Sequence, residues 1–357
     1  MGIYINGMAN ISPQDTFANE DLVKGIREYS RYLTCVEPNY REYIEPKLLR
    51  RMSRIIKMGV ACAKTSLAEA HVDQPDAILT GTGMGCLLDT EKFLNKMFDN
   101  QEQFLNPTAF IQSTHNTVGA QIGLMLKCYR ENFTFVHQNT SFESAMQHSM
   151  LLLHQGKANN VLVGGIDEIT EENYMLKTHV DYWKKEDVKN TGLYQTNTPG
   201  TLPGEGSAFF VVSHKEQSST YAQVKALETV YKLDGHEGLE NKVKDILQAN
   251  EMGVDELDLV FLGNNGDVHD DALYNRLMEG LLKNTPYAFY KHLCGEYYTA
   301  SSFAFWLASN ILRTQSLPDF VEPSKPHPPA INNILLYDQN YNRNHSLMLL
   351  SRCRSHM

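Results

Sequence analysis

Apolar positions along this chain follow two alternating rhythms. Short apolar runs such as "IYING", "AILTGTGMG", "FTFVHQ", "NNVLVGGI" and "GSAFFVVSHKE" read as strands, with "IYING" and "AILTGTGMG" read as buried ones. Between them lie stretches with helical spacing. In "LLRRMSRIIKMGVACAKTSLAEAHV", Leu48, Leu49, Met52, Ile55, Ile56, Met58 and Ala63 recur at three- and four-residue intervals, which predicts a single amphipathic helix. "TEKFLNKMF", "STHNTVGAQIGLMLKC" and the segment from about Phe142 to His154 predict further helices. Strands alternating with helices in this way build βα units around largely parallel sheets.

The theme then repeats. "YAQVKALETVY" and "LDLVFLGN" read as strands, and "LENKVKDILQAN", "DDALYNRLMEGLL" and "TASSFAFWLASNILRT" as helices. "ILLYDQ" and "HSLMLLSRC" read as a closing pair of strands. The expected architecture is a duplicated α/β fold, with one half over residues 1–214 and the other over 215–357. No linker rich in Gly and Ser separates the halves, so they are expected to pack as one unit. "LPDFVEPSKPHPPAINN" carries five prolines and predicts an irregular surface connection.

Composition narrows the function classes. A formal charge of −10 disfavours nucleic acid and anionic membrane surfaces as partners. No run of about 18 apolar residues exists to span a membrane. "MGIYINGMANISPQ" lacks the basic-then-apolar order of a secretory signal, and Asn6 stands where a myristoylation signal wants Ser or Thr. Cys35, Cys62, Cys86, Cys128, Cys294 and Cys353 are scattered, with no CxxC pair and no histidine cluster. That predicts free thiols in a cytoplasmic protein with no bound metal. Gly81, Gly83 and Gly85 are wrongly spaced for a dinucleotide and read as a packing turn, so no cofactor is expected. One basic exception stands out, with Lys47, Arg50, Arg51, Arg54, Lys57 and Lys64 in a single segment. It reads either as a solvated helix face or as a docking patch for an acidic partner.

Candidate chemistry centres on "FVHQNTSFESAMQHSMLLLHQGKANNVLVGGIDE", a strand, a tight turn, a helix and a second strand, with Ser141 where the helix starts. Together with "INGMANISP", "GTGMG", "LPGEGSAFFVV" (Gly204, Glu205, Gly206), "KHLCGEYYTASS" and "NHSLMLL", this order resembles the β-ketoacyl-acyl carrier protein synthases over nearly the whole chain. The resemblance implies a thiolase-like fold, two βα halves in a five-layered αβαβα core. Within the motifs, Glu205 reads as a structural hydrogen-bonding carboxylate rather than an acid catalyst.

A condensing enzyme of that family needs a thiolate at a helix N-terminus, two histidines on the malonyl carbonyl, and backbone amides for the oxyanion. Matched motif by motif, the nucleophile cysteine falls at Ser141, within "NTSFESAM". The first histidine falls at Asn265 in "FLGNNGDVHDDAL", with Asn264 as the alternative and His269 too far along to substitute. The second falls at Glu296, where "KHLCGE" keeps Lys291 and Gly295. The glycine-rich loop before the last strand is missing from "DQNYNRNHS", although Asn344 keeps its place.

Cys-His-His thus reads Ser-Asn-Glu. Serine lacks a low pKa, no histidine lies nearby in sequence to act as its base, and a carboxylate at Glu296 repels developing negative charge. The resemblance implies a catalytically degenerate subunit of the chain-length-factor type. Such a chain pairs with an active ketosynthase in fatty acid or polyketide biosynthesis, aryl polyene and flexirubin-type pathways included, and meets an acyl carrier protein directly or through its partner. Phe110, Met125, Phe142 and Met146 are then candidates for setting tunnel length. Two other readings stay open. One is an acyltransferase or hydrolase using Ser141 with Glu143 and Glu296, or Cys294 as an alternative thiol. The other is a homodimeric scaffold. His115, Asn116 and His148 read as capping or packing residues.

Overall fold

The computed structural model describes residues 2–17 and 25–353; Met1, which opens the "MGIYING" segment, lies outside them. The described residues form ten strands: β1 (Ile3–Ile11), β2 (Ala77–Gly81), β3 (Glu131–Phe135), β4 (Asn160–Asp167), β5 (Gly206–Ser213), β6 (Ala222–Tyr231), β7 (Leu259–Leu262), β8 (Tyr287–Phe289), β9 (Asn333–Asn340) and β10 (Asn344–Ser351). Their order is β3-β2-β4-β5-β1-β6-β10-β9-β7-β8. Adding five to each strand of β3-β2-β4-β5-β1 gives the other five strands read from the opposite end. Pairing obeys the same rule. β2 lies parallel to β3 and β4, as β7 lies parallel to β8 and β9. β5 is antiparallel to β4 and β1, as β10 is to β9 and β6.

β1 and β6 join the two sets through only three pairs, Ile3 to Ile5 against Ala222 to Val224. Beyond Ile5 a bulge deflects β1, and the two sheets part to face one another. Helices Ser141–His154 and Ser301–Thr314 fill the space between them, sharing one core with Ile5, Val163, Phe210, Phe261 and Leu336. Phe142, Phe210 and Phe305 lock the centre with ring separations of 5.7, 5.5 and 4.9 Å. Each fully buried ring contributes about 2–3 kcal/mol by removal from water. Helices Arg54–Glu69 and Thr117–Leu126 cover the outer face of the first sheet. Helices Gly235–Gln248 and Asp271–Glu279 cover that of the second. The result is the five-layered αβαβα arrangement expected for the thiolase-like α/β fold.

Local departures have physical causes. The single helix expected over "LLRRMSRIIKMG" breaks into Pro46–Leu49 and Arg54–Glu69, with Ser53 extended between them. There Arg54 turns inward to the buried Glu205 carboxylate, at 2.6 and 2.5 Å, and also pairs with Glu37. The proline-rich connection is not wholly superficial, since Phe320 and Val321 are buried in the central core. Asn116 precedes its helix but its side chain forms no cap.

Candidate functional site

Ser141 ends a short turn, Gln138–Thr140, and begins the central helix. The turn packs against the end of β2, where a Cβ on Gly81 would sit 2.5 Å from the Ser141 carbonyl. Glycine is required there by that approach. The Ser141 hydroxyl is fully buried and spent locally. It donates to the Gln138 carbonyl at 2.6 Å and accepts the His137 backbone N–H at 2.9 Å. His137 corrects the expectation that no histidine lies near in sequence. Its ring, however, bonds Ser144 Oγ at 3.1 Å and not Ser141. Asn344, at the start of β10, donates to Asn139 at 3.1 Å and ties the second half to this turn.

Asn265, Lys291 and Glu296 meet directly. Lys291 Nζ lies 2.7 Å from Glu296 Oε2, to which Asn265 Nδ2 also donates at 3.1 Å. Gly295, at φ +75°, turns the chain so that Glu296 faces inward. The Glu296 backbone bonds Leu202 and Gly204 on the neighbouring segment, at 2.8 and 3.0 Å. A Cβ on Gly204 would collide with the Cys294 carbonyl, which explains the glycine. Asn264, the alternative position, makes no bond to Glu296, and His269 is exposed.

Sequence reading missed Asp338, which completes the group. Its Oδ1 lies 3.0 Å from Lys291 Nζ and accepts the Tyr274 hydroxyl at 3.2 Å. An acidic residue in the otherwise apolar run "ILLYDQ" was the available signal. Burial alone would push the Lys291 ammonium down, but Asp338 and Glu296 outweigh it and hold it above its ordinary range. Burial raises Glu296, against the opposing pull of Lys291. The groups here bond one another, with both bonds to Glu296 falling on Oε2.

Glu143, two residues beyond Ser141, is fully buried, and neither carboxylate oxygen closes a hydrogen bond of ordinary geometry. Burial lifts its pKa to about 7, with the Ser301 and Ser346 hydroxyls only partly offsetting that. Ser141 makes no bond to Glu143 or Glu296, so the three do not assemble as a serine-carboxylate site. Cys294 is buried and its thiol is pushed well up by burial, opposite to what a nucleophile requires. Phe142 and Met146 are core residues, whereas Phe110 is 57% exposed. His148 packs between Phe133 and Phe135 and lies 3.0 Å from Glu131. Lys177 stands over the rings of Tyr182, Trp183 and Tyr298 at 4.6 to 5.0 Å.

Residues 34–184 match the family model described as beta-ketoacyl synthase, N-terminal domain. Over that segment the chain is β-ketoacyl synthase-like. Solved structures share the fold over its whole length. They include the ishigamide ketosynthase/chain length factor, with 15% identity, a TM-score of 0.82 and 99% of each chain covered. A ketosynthase in complex with its chain length factor from Xenorhabdus doucetiae is 14% identical, with a TM-score of 0.74 over 99% of this chain and 98% of that one. A type II PKS acyl-carrier protein in complex with its ketosynthase is 13% identical, with a TM-score of 0.72 and 99% of each chain covered. No curated protein sequence matches the chain. Among the described residues, no helix is long and apolar enough to cross a membrane.

Proposed function

We propose that this chain is a non-catalytic subunit of the chain-length-factor type, pairing with an active ketosynthase in fatty acid or polyketide biosynthesis. The observation that carries the reading is the bonding of the Ser141 hydroxyl within its own turn and of Asn265 and Lys291 to Glu296 Oε2. A condensing site needs a thiolate and two imidazoles whose valences are open to substrate. Here the hydroxyl is held by its own turn, and the two histidine positions are occupied by an amide and a carboxylate bound to each other. A Ser141-dependent acyltransferase or hydrolase is disfavoured by the same bonds.

The surface supports a partner. β3 is an edge strand, and Phe133 on it is 49% exposed. Phe104, Phe110, Ile111, Leu124 and Tyr129, on the flanking segments, are also exposed. The opposite edge, β8, is bonded by Ser324 through Tyr287, at 2.7 and 3.1 Å. An uncovered apolar edge beside a covered one favours one-sided association through β3. The occupant is a ketosynthase presenting the equivalent edge, and Phe110 would face the shared interior. For the acyl carrier protein, the basic segment offers Lys47, Arg50, Arg51 and Lys57 near a 220 Å³ hollow floored by Met52 and Ile56. Arg54 and Lys64 drop out of that patch, because they bond Glu205 and the Tyr43 carbonyl.

The test is turnover by the purified chain alone. With acyl thioesters and malonyl-carrier protein, no condensation and no Ser141-dependent hydrolysis is expected. Thioester turnover that Ser141→Ala abolishes would overturn the reading.

A further inference from the structure

A cavity of about 590 Å³ lies away from Ser141 and Glu296, at the far end of the Ser301–Thr314 helix from Ser301. Those 14 residues span roughly 20 Å. The cavity opens where β1 leaves β6, between the two halves, and has a size typical of small-molecule sites. Met8 and Trp306 give it an apolar wall, and Glu69 and Arg313 stand on opposite halves of the fold.

The two charges are held but not joined. Glu69 accepts the Met8 N–H at 3.0 Å and the Tyr221 hydroxyl at 3.1 Å, both on Oε2, leaving Oε1 without a protein donor among the described residues. Arg313 donates to the Ser219 carbonyl at 3.1 Å and lies 4.3 Å over the Tyr221 ring. Its charge acts on Glu69 against the rise that burial causes there, but no carboxylate lies within ion-pair distance of it among the described residues. Tyr221 therefore spaces an acceptor carboxylate from a donor guanidinium. A planar guanidinium favours a carboxylate ligand, and a half-buried carboxylate such as Glu69 favours an ammonium. The Met8 and Trp306 wall favours an apolar body between or beside them.

We propose that this cavity binds a small zwitterion of the α-amino acid class, its carboxylate on Arg313, its ammonium on Glu69 and its side chain against Trp306 and Met8. The site is independent of the partner-subunit reading and uses none of its residues.

The test is calorimetric titration of the full chain, with its synthase partner where one co-purifies, against the twenty L-α-amino acids. Each amino acid that binds is then compared with its descarboxy amine and its deamino acid. At least one apolar or aromatic amino acid is expected to bind saturably, and its two truncated analogues at least tenfold more weakly. Arg313→Gln should weaken the amino acid at least tenfold while leaving the descarboxy amine unchanged. Glu69→Gln should do the converse with the deamino acid. The analogue comparison uses unaltered protein, so it stands even if a variant fails to fold. Absence of saturable binding across the panel, or analogues binding as tightly as the parent, would overturn the proposal.

Discussion

Ser141 and Lys291 differ in what their bonds are worth. The Ser141 hydroxyl satisfies one donor and one acceptor of its own turn. Ser141→Ala should therefore cost about 1–2 kcal/mol in chemical denaturation and leave any complex-dependent condensation unchanged. Lys291 neutralises two buried carboxylates. Lys291→Met should cost about 3–5 kcal/mol, because Glu296 and Asp338 would be left buried without a counter-charge. Glu143 sets a pH dependence. Its folded pKa, about 7, lies above the usual carboxylate value, so the folded state holds a proton that the unfolded state releases. Stability from this group is complete below about pH 4.5 and is lost as pH rises to about 7. Glu143→Gln should flatten that decline, gaining on the order of 2 kcal/mol at pH 8 relative to pH 5 in paired denaturation curves.

At the scale of elements, the uncovered edge of β3 makes a separable prediction. Phe133→Lys adds a charge to an edge strand without removing a fully buried side chain. It should leave the chain's own unfolding within about 0.5 kcal/mol and weaken synthase pairing at least tenfold, read by analytical ultracentrifugation. The order of these elements was legible because doubly buried strands and amphipathic helices write different periods into the sequence. β4 and the helix from Ser141 follow the apolar pattern to within a residue or two. What was not legible depends on distant partners. The break before Arg54 exists because Glu205, far along the chain, draws that guanidinium inward. β8 has three residues, too few to carry a period. Asp338 looked like one polar residue in a strand, and only the fold brings it to Lys291.

For the whole molecule, duplication and asymmetry together frame the function. The two halves share one strand order, yet the Pro-rich connection covers one sheet edge and leaves the other bare. Ser141, Asn265 and Glu296 were located by motif position, and the fold brings Asn265 onto Glu296, which also holds Lys291, while Ser141 turns to its own backbone. Under the proposed reading, such a chain keeps the thiolase-like fold and an apolar face, while the Ser141 hydroxyl and the Asn265–Glu296 pair are taken up by other protein groups. The most direct measurement is co-expression with a ketosynthase encoded beside it, purified through a tag on this chain alone. The account predicts a stable one-to-one complex that condenses malonyl units and is indifferent to Ser141→Ala. A chain that captures no synthase and turns over acyl thioesters by itself, in a Ser141-dependent way, would contradict it.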